Sequence, residues 1–263
     1  MRTAFGRRAV LAVSAASLTL LVTACGSGDA KEPAEGAGAG GPASAPAAAG
    51  GTGKPAAELT PLLVAQADLP GFKVAPDAGA ALIAKGVVPK SDKPACQSLV
   101  QLQASAAVRT PSSGPAGAAW ISVADKPKAP DANASAEEKL DAITGALSVT
   151  KTSVGLHSYD GKGAEDAFAG LKAAGAFCAN GYTVTAEGEN TKVEKVTAGA
   201  PVTAGDEALS YAVVADLGDG VKALTQIVAV RKGNTLATFS SLNLTGEAAQ
   251  PKAVVEAQLK KLG

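Results

Sequence analysis

The sequence predicts an α+β domain, an antiparallel sheet of five or more strands with three or four helices packed on it and one disulfide. Three observations point there. Leu209, Tyr211, Val213, Ala215 and Leu217 alternate with a period of two, as one face of a half-buried strand does. Gly218-Asp219-Gly220 and Lys232-Gly233-Asn234 separate that run from two further strand-like runs at 221–231 and 236–244. Glycine and asparagine supply the positive φ that tight hairpins need. Elsewhere the period changes to that of a helix, at Ala164, Phe168, Leu171 and Ala174 and again at Val254, Val255, Leu259 and Leu262.

The remaining elements follow in order. Thr60-Pro61 reads as a helix N-cap with proline at the first helical position. Leu59, Leu62, Leu63 and Gln66 continue that helix until Asp68-Leu69-Pro70-Gly71 ends it. Phe72-Lys73-Val74 is a short extended piece. A helix is predicted from Pro94, with Cys96, Leu99, Val100 and Gln103 along one side, which places Cys96 on a core-facing stripe. A strand centres on Trp120-Ile121-Ser122-Val123. The polar stretch 125–138 reads as an exposed excursion. Residues 147–159 suit one long or broken strand through Leu147, Val149, Val154 and Leu156. The helix at 163–174 follows, with Cys178 just beyond it. Strands at 182–185 and 192–197 then flank a turn at Gly188.

Ahead of this domain the chain reads as an export leader and a tether. Arg2, Arg7 and Arg8 form a positive start with no acidic group, and no charge follows from residue 9 to residue 24. An uncharged run of about sixteen residues spans roughly 24 Å as a helix, short of a comfortable membrane crossing. It ends in Leu21-Val22-Thr23-Ala24-Cys25, which resembles the lipobox of bacterial lipoproteins. That resemblance implies a diacylglyceryl group on Cys25, cleavage just before it, and a place on the outer face of the cytoplasmic membrane. The alternatives are an ordinary secreted protein cut nearby and a permanent transmembrane anchor. Arg7-Arg8 also resembles a twin-arginine export signal, and general secretory export stays open beside it.

Residues 26–57 are almost wholly Gly, Ala, Pro and Ser, with too little apolar side chain to offset ordering entropy. The expected organisation is therefore a leader at 1–24, a disordered tether at 25–57 and an α+β domain at 58–263. Gly36, Gly38 and Gly41 match the spacing of a dinucleotide fingerprint, but with no strand before and no helix after they reflect composition.

Of 24 basic and 24 acidic residues, three basic ones lie in the leader, so the mature chain carries 21 against 24. A slight negative balance without a basic block disfavours nucleic acid as a partner. With Cys25 lipidated, Cys96 and Cys178 remain, and an oxidising location favours their pairing; two separate buried thiols are the alternative.

Several segments together look familiar. The Leu62-Leu63 helix ending in Asp68-Leu69-Pro70-Gly71, the cysteine helix at Cys96, the Phe168, Leu171, Cys178 segment, and the stretch from Gly205-Asp206-Glu207 to Val228-Ala229-Val230-Arg231-Lys232-Gly233-Asn234 resemble an actinobacterial family of extracytoplasmic domains. This is the PknH-like extracellular sensor domain family, found in receptor Ser/Thr kinases and in free-standing lipoproteins. The resemblance covers most of residues 57–263. It implies a curved antiparallel sheet and a cleft that takes a ligand. The family often carries two disulfides, and this chain can form one. With no kinase domain in this sequence, sensing is expected to pass through a partner.

Catalytic chemistry finds little footing. One histidine and no C-x-x-C give no metal site, and no cofactor is expected. No G-x-S-x-G elbow presents a nucleophile. Adjacent carboxylates at Glu137-Glu138, Glu165-Asp166 and Asp206-Glu207 point in different directions along a helix or strand, which is no acid/base pair. No catalytic residue is assigned. His157 shares a strand face with Tyr159, opposite Val154 and Leu156, and is either a strand-surface histidine or part of a binding cleft with Tyr159. Trp120 is either a core or rim aromatic or a stacking platform. Two function classes follow: a ligand-binding or sensor-type lipoprotein for a small envelope molecule, and a structural lipoprotein that docks an envelope protein. A cleft with convergent polar groups would mark the first, and a flat apolar patch the second.

Overall fold

A single antiparallel sheet organises the chain, and hairpin connections account for most of it. The computed structural model describes residues 51–75, 88–112, 116–123, 133–244 and 248–263, with the backbone alone at 116–123, 146 and 147. The leader, Cys25, the tether up to residue 50 and most of the polar stretch at 124–132 lie outside the described residues. Nine strands are described: β1 (Phe72–Ala75), β2 (Lys90–Ser91), β3 (Ala116–Val123), β4 (Lys151–Ser158), β5 (Tyr182–Ala186), β6 (Glu189–Ala198), β7 (Glu207–Asp216), β8 (Lys222–Lys232) and β9 (Thr235–Asn243). They stand in the order β1-β3-β4-β9-β8-β7-β6-β5-β2, so the last five in sequence form an unbroken meander. β4 pairs along its whole length with β9, from Lys151↔Leu242 to Ser158↔Thr235, and lies in the sheet interior with β3 on its other side.

Five α-helices are described: α1 (Ala56–Leu59), α2 (Gln97–Gln103), α3 (Ala136–Leu147), α4 (Gly163–Phe177) and α5 (Lys252–Leu262). The helix α3 takes this beyond the three or four expected, and the first helix follows a different course from the one expected. The first helix begins at Ala56, behind Pro55, and Thr60 closes it: the Thr60 hydroxyl donates to Ala56 O at 2.8 Å. Pro61 then opens a 3-10 turn at Thr60–Leu62, so the expected single helix is broken into α1 and two 3-10 turns. The additional helix is α3, which occupies part of the stretch expected to be an exposed excursion. Ser135 Oγ accepts from Glu138 N at 3.1 Å, and the Glu138 carboxylate accepts from Ser135 N at 2.7 Å. These are the two halves of a capping box. They hold the Glu138 carboxyl below its usual range, chiefly through the Ser135 backbone N–H. With Leu147 at the end of this helix, the following strand starts at Lys151.

Both faces of the sheet are covered. On one, Val154, Leu156, Val228, Val230, Ala237 and Phe239 meet Leu59, Val64 and Leu69 from the α1 region and Val254 and Val255 from α5. On the other, Val213, Ile227, Ala229 and Leu236 meet Leu99 and Leu102 of α2 and the Ala164, Ala167, Phe168, Leu171 and Ala174 stripe of α4. Successive residues of β8 therefore enter different cores, which is why it reads as an uninterrupted apolar run. The period-two face of β7 is retained through Ala215, while Leu217 lies past the strand end and is exposed.

Two ties fix the outer layers. Cys96 and Cys178 are bonded, joining the turn before α2 to the residue after α4, and both are fully buried. On the opposite face, Gln258 of α5 is fully buried and fixes the α1 region through both ends of its amide. Oε1 accepts from Val64 N at 3.0 Å, and Nε2 donates to Leu62 O at 2.7 Å. The chain meets the fold at Gly51, ahead of the start expected from composition. Gly53 N donates to Asp160 Oδ1 at 2.7 Å and Lys54 N to Ser158 Oγ at 2.8 Å, so residues 51–54 form a strap across the end of β4.

Candidate functional site

The residues expected to line a cleft lie instead beneath a helical layer. His157 is 0% exposed, because β4 is an interior strand and Ser105, just past α2, closes over the same side of it. It is therefore no strand-surface histidine. Burial alone pushes its imidazole down to about 4, and among the described residues neither Nδ1 nor Nε2 has a hydrogen-bond partner. Tyr159 is also buried. Its hydroxyl donates to Val108 O at 2.7 Å and its backbone N–H to Asn234 O at 2.9 Å, and burial pushes the phenol upward. It serves as an anchor for the segment after α2, and the two residues do not form an open cleft. Trp120 takes its place on β3 between Ala75 of β1 and Ser153 of β4.

An open groove lies elsewhere, between residues 201–204 and α5, with a volume of about 590 Å³. Its shape comes from the connection between β6 and β7. Gly199 N donates to Ser210 O at 2.9 Å, and Ala200 O accepts from both Ser210 Oγ (2.6 Å) and Gln250 Nε2 (2.8 Å). Those bonds fix the course of the segment, and Val202, Ala204, Val255 and Leu259 form an apolar lining between it and α5. Lys252, Glu256 and Lys260 succeed one another at four-residue spacing along α5 and stand exposed at the rim.

Gln250 gives the groove its polar feature. Only the amide nitrogen can donate to Ala200 O, so the orientation of the side chain is fixed by chemistry. The amide oxygen, Oε1, is then left buried and without a partner among the described residues. An unsatisfied buried acceptor costs roughly 1–3 kcal/mol. A second recess of about 470 Å³ continues on the far side of Pro201 and Val202, toward Phe168, Leu209 and Tyr211.

None of this was legible in the linear sequence. Val202, Gln250 and Leu259 come from separate elements and share no local period. Gln250 two residues before a helix looks like ordinary loop polarity. Among the described residues no three His, Cys, Asp or Glu side chains gather as metal ligands.

No protein-family model matches this chain, and no curated protein matches it. Among solved structures, the extracellular domain of PknH from Mycobacterium tuberculosis is similar, with a TM-score of 0.43 and 11% identity over 81% of this chain and 98% of that one. At that similarity no ligand, partner or mechanism carries over.

Proposed function

We propose that this chain is a non-catalytic, extracytoplasmic lipoprotein module that binds an amphiphilic ligand in the groove between residues 201–204 and α5. The observation that carries the reading is the open groove itself, lined by apolar Val202, Ala204, Val255 and Leu259 and rimmed by the exposed Lys252, Glu256 and Lys260. A ligand with an apolar body and a polar head answers both, the body against Val202 and Leu259 and the head at the Lys252, Glu256 and Lys260 rim. The resemblance of residues 57–263 to extracytoplasmic sensor domains supports the same class, and a buried disulfide suits an oxidising compartment.

Two measurements test this. Native mass spectrometry of the protein released from its host membranes should find an amphiphile bound to the natural chain and absent from Val202→Asp. A thermal melt establishes that the variant is folded. Intact mass of the same material should show a chain that begins at Cys25 and carries a diacylglyceryl group. A chain cut elsewhere and free of lipid would remove the anchor and leave the groove reading untouched.

One observation favours the other class. Leu140 and Ile143, three residues apart on α3, are 62% and 56% exposed, an apolar stripe suited to a protein contact. No bound ligand in either chain, with a partner protein captured through that stripe, would make this a docking lipoprotein.

A further inference from the structure

The interior of the fold carries a polar row that the groove does not use. On β4, Ser153, Gly155 and His157 face the α2 side of the sheet, opposite Ser240, Thr238 and Leu236 of β9. Ser105, at the end of α2, closes the row from above: its hydroxyl donates to Ser153 Oγ at 2.5 Å. Thr238 Oγ1, His157 Nε2 and Ser105 O lie 2.9, 3.0 and 3.3 Å from the point where a Gly155 side chain would begin. The absent Cβ leaves room for the imidazole. The hydroxyls are engaged elsewhere, Ser153 with Ser240 O and Thr238 with Gly155 O, each at 3.4 Å.

Among the described residues no counter-charge stands ready for a protonated ring. α2, β3 and β9 contain no ionisable side chain. On α4 the residues that face inward are Ala164, Ala167, Phe168, Leu171 and Ala174, and its Glu165, Asp166 and Lys172 are not among them. β4 has only Lys151 at its far end, and β8 has Lys222 paired with Glu194 and Arg231 paired with Asp206 and Glu207, with Lys232 at its end. The Tyr159 phenol is committed to Val108 O and feels the Arg109 guanidinium, which opposes a second cation; Asp160, next in the chain, accepts from Gly53 N. A buried imidazolium here would be uncompensated.

We infer that His157 is an acid trigger, and that its protonation lifts the Ser105 end of α2 from the sheet while the Cys96–Cys178 bond holds the other end as a hinge. The device is independent of the groove. The direction follows from linkage. Folding lowers the imidazole from 6.5 to about 4, so the opened state binds the proton more tightly, and the closed state loses ground as pH falls from 6.5 toward 4. If the opened state restores an ordinary imidazole, the opening equilibrium rises about twentyfold between pH 7 and pH 5.

Hydrogen exchange of the full chain, corrected for intrinsic rates, tests this at those two pH values. Residues 97–106 should open about twentyfold more at pH 5, with α5 unchanged, and His157→Gln should abolish the difference. Equal pH dependence in His157→Gln, or acceleration spread evenly over α2 and α5, would overturn it. His157 is the chain's single histidine, so its ring signals in the natural protein give a second reading without mutation. They should titrate well below 6.5, and an ordinary titration would overturn the inference even if the variant fails to fold.

Discussion

Replacing Cys96 and Cys178 together with alanine should lower the stability of the domain by about 4.5 kcal/mol. The bridge spans a sequence separation of 82 residues, and cutting it returns to the unfolded chain the entropy that loop closure had removed. Folded-state packing adds to the loss, because both side chains are fully buried in the core beneath α2 and α4. Each alanine leaves a small void where a sulfur had filled the space. Urea unfolding of the variant and the natural chain measures the difference. The midpoint should fall sharply and the slope should steepen, since an uncrosslinked chain exposes more surface. A change below about 1 kcal/mol would show that the two layers are held by packing alone.

Gly181→Ala should cost about 3–4 kcal/mol, which is large for one methyl group. Gly181 has φ 79, a left-handed conformation that alanine tolerates poorly. A Cβ there would also lie 2.2 Å from Val193 O and 2.8 Å from Glu194 O, both rigid backbone atoms. The register between β6 and β7 shifts at this point, between Val193 and Lys195, and the α4–β5 turn rides over that irregularity. The turn cannot retreat readily. Gly181 N donates to Cys178 O at 2.9 Å, and Lys93 Nζ donates to Gly181 O at 2.6 Å. Gly188→Ala separates the two contributions. Its φ is 88, but nothing lies within 4 Å of its added Cβ, so only the backbone penalty of about 1 kcal/mol remains. Equal losses in the two variants would mean that the clash is relieved by movement of the turn.

Much of the sheet was legible because its signals are local. Gly218-Asp219-Gly220 and Lys232-Gly233-Asn234 mark hairpins, and the alternation at Leu209, Tyr211, Val213 and Ala215 matches the side of β7 that packs under α4. The cysteine pair was legible by elimination and by the placing of Cys96 on a helical stripe. α3 was missed although Ser135 and Glu138 carry a capping box in plain view, because the polarity of the surrounding residues outweighed a two-residue signal. Thr60-Pro61 misled in the opposite way: the hydroxyl that looks like an N-cap closes the preceding turn.

His157 shows a different limit. Its opposition to Val154 and Leu156 was read correctly, and those residues do enter the other core. What local pattern cannot reveal is that β4 is an interior strand with the α1 region against one side and Ser105 closing the other, so that its polar side is as buried as its apolar one. Ser153, Gly155 and His157 look like a solvent face and form an interior polar row. Gln250 was invisible for a related reason. Its importance rests on Ala200, fifty residues away, which fixes its amide and leaves the oxygen without a partner among the described residues.

The central claim is that the groove beside α5 binds an amphiphile, and a fluorescence titration with dansylundecanoic acid tests it most directly. The full chain should bind the probe saturably at one site, and Val202→Asp, folded by its thermal melt, should bind it at least about tenfold more weakly, because the new carboxylate would be desolvated against the apolar body. Equal affinity in the two proteins, or no saturable binding by the natural chain, would contradict the claim.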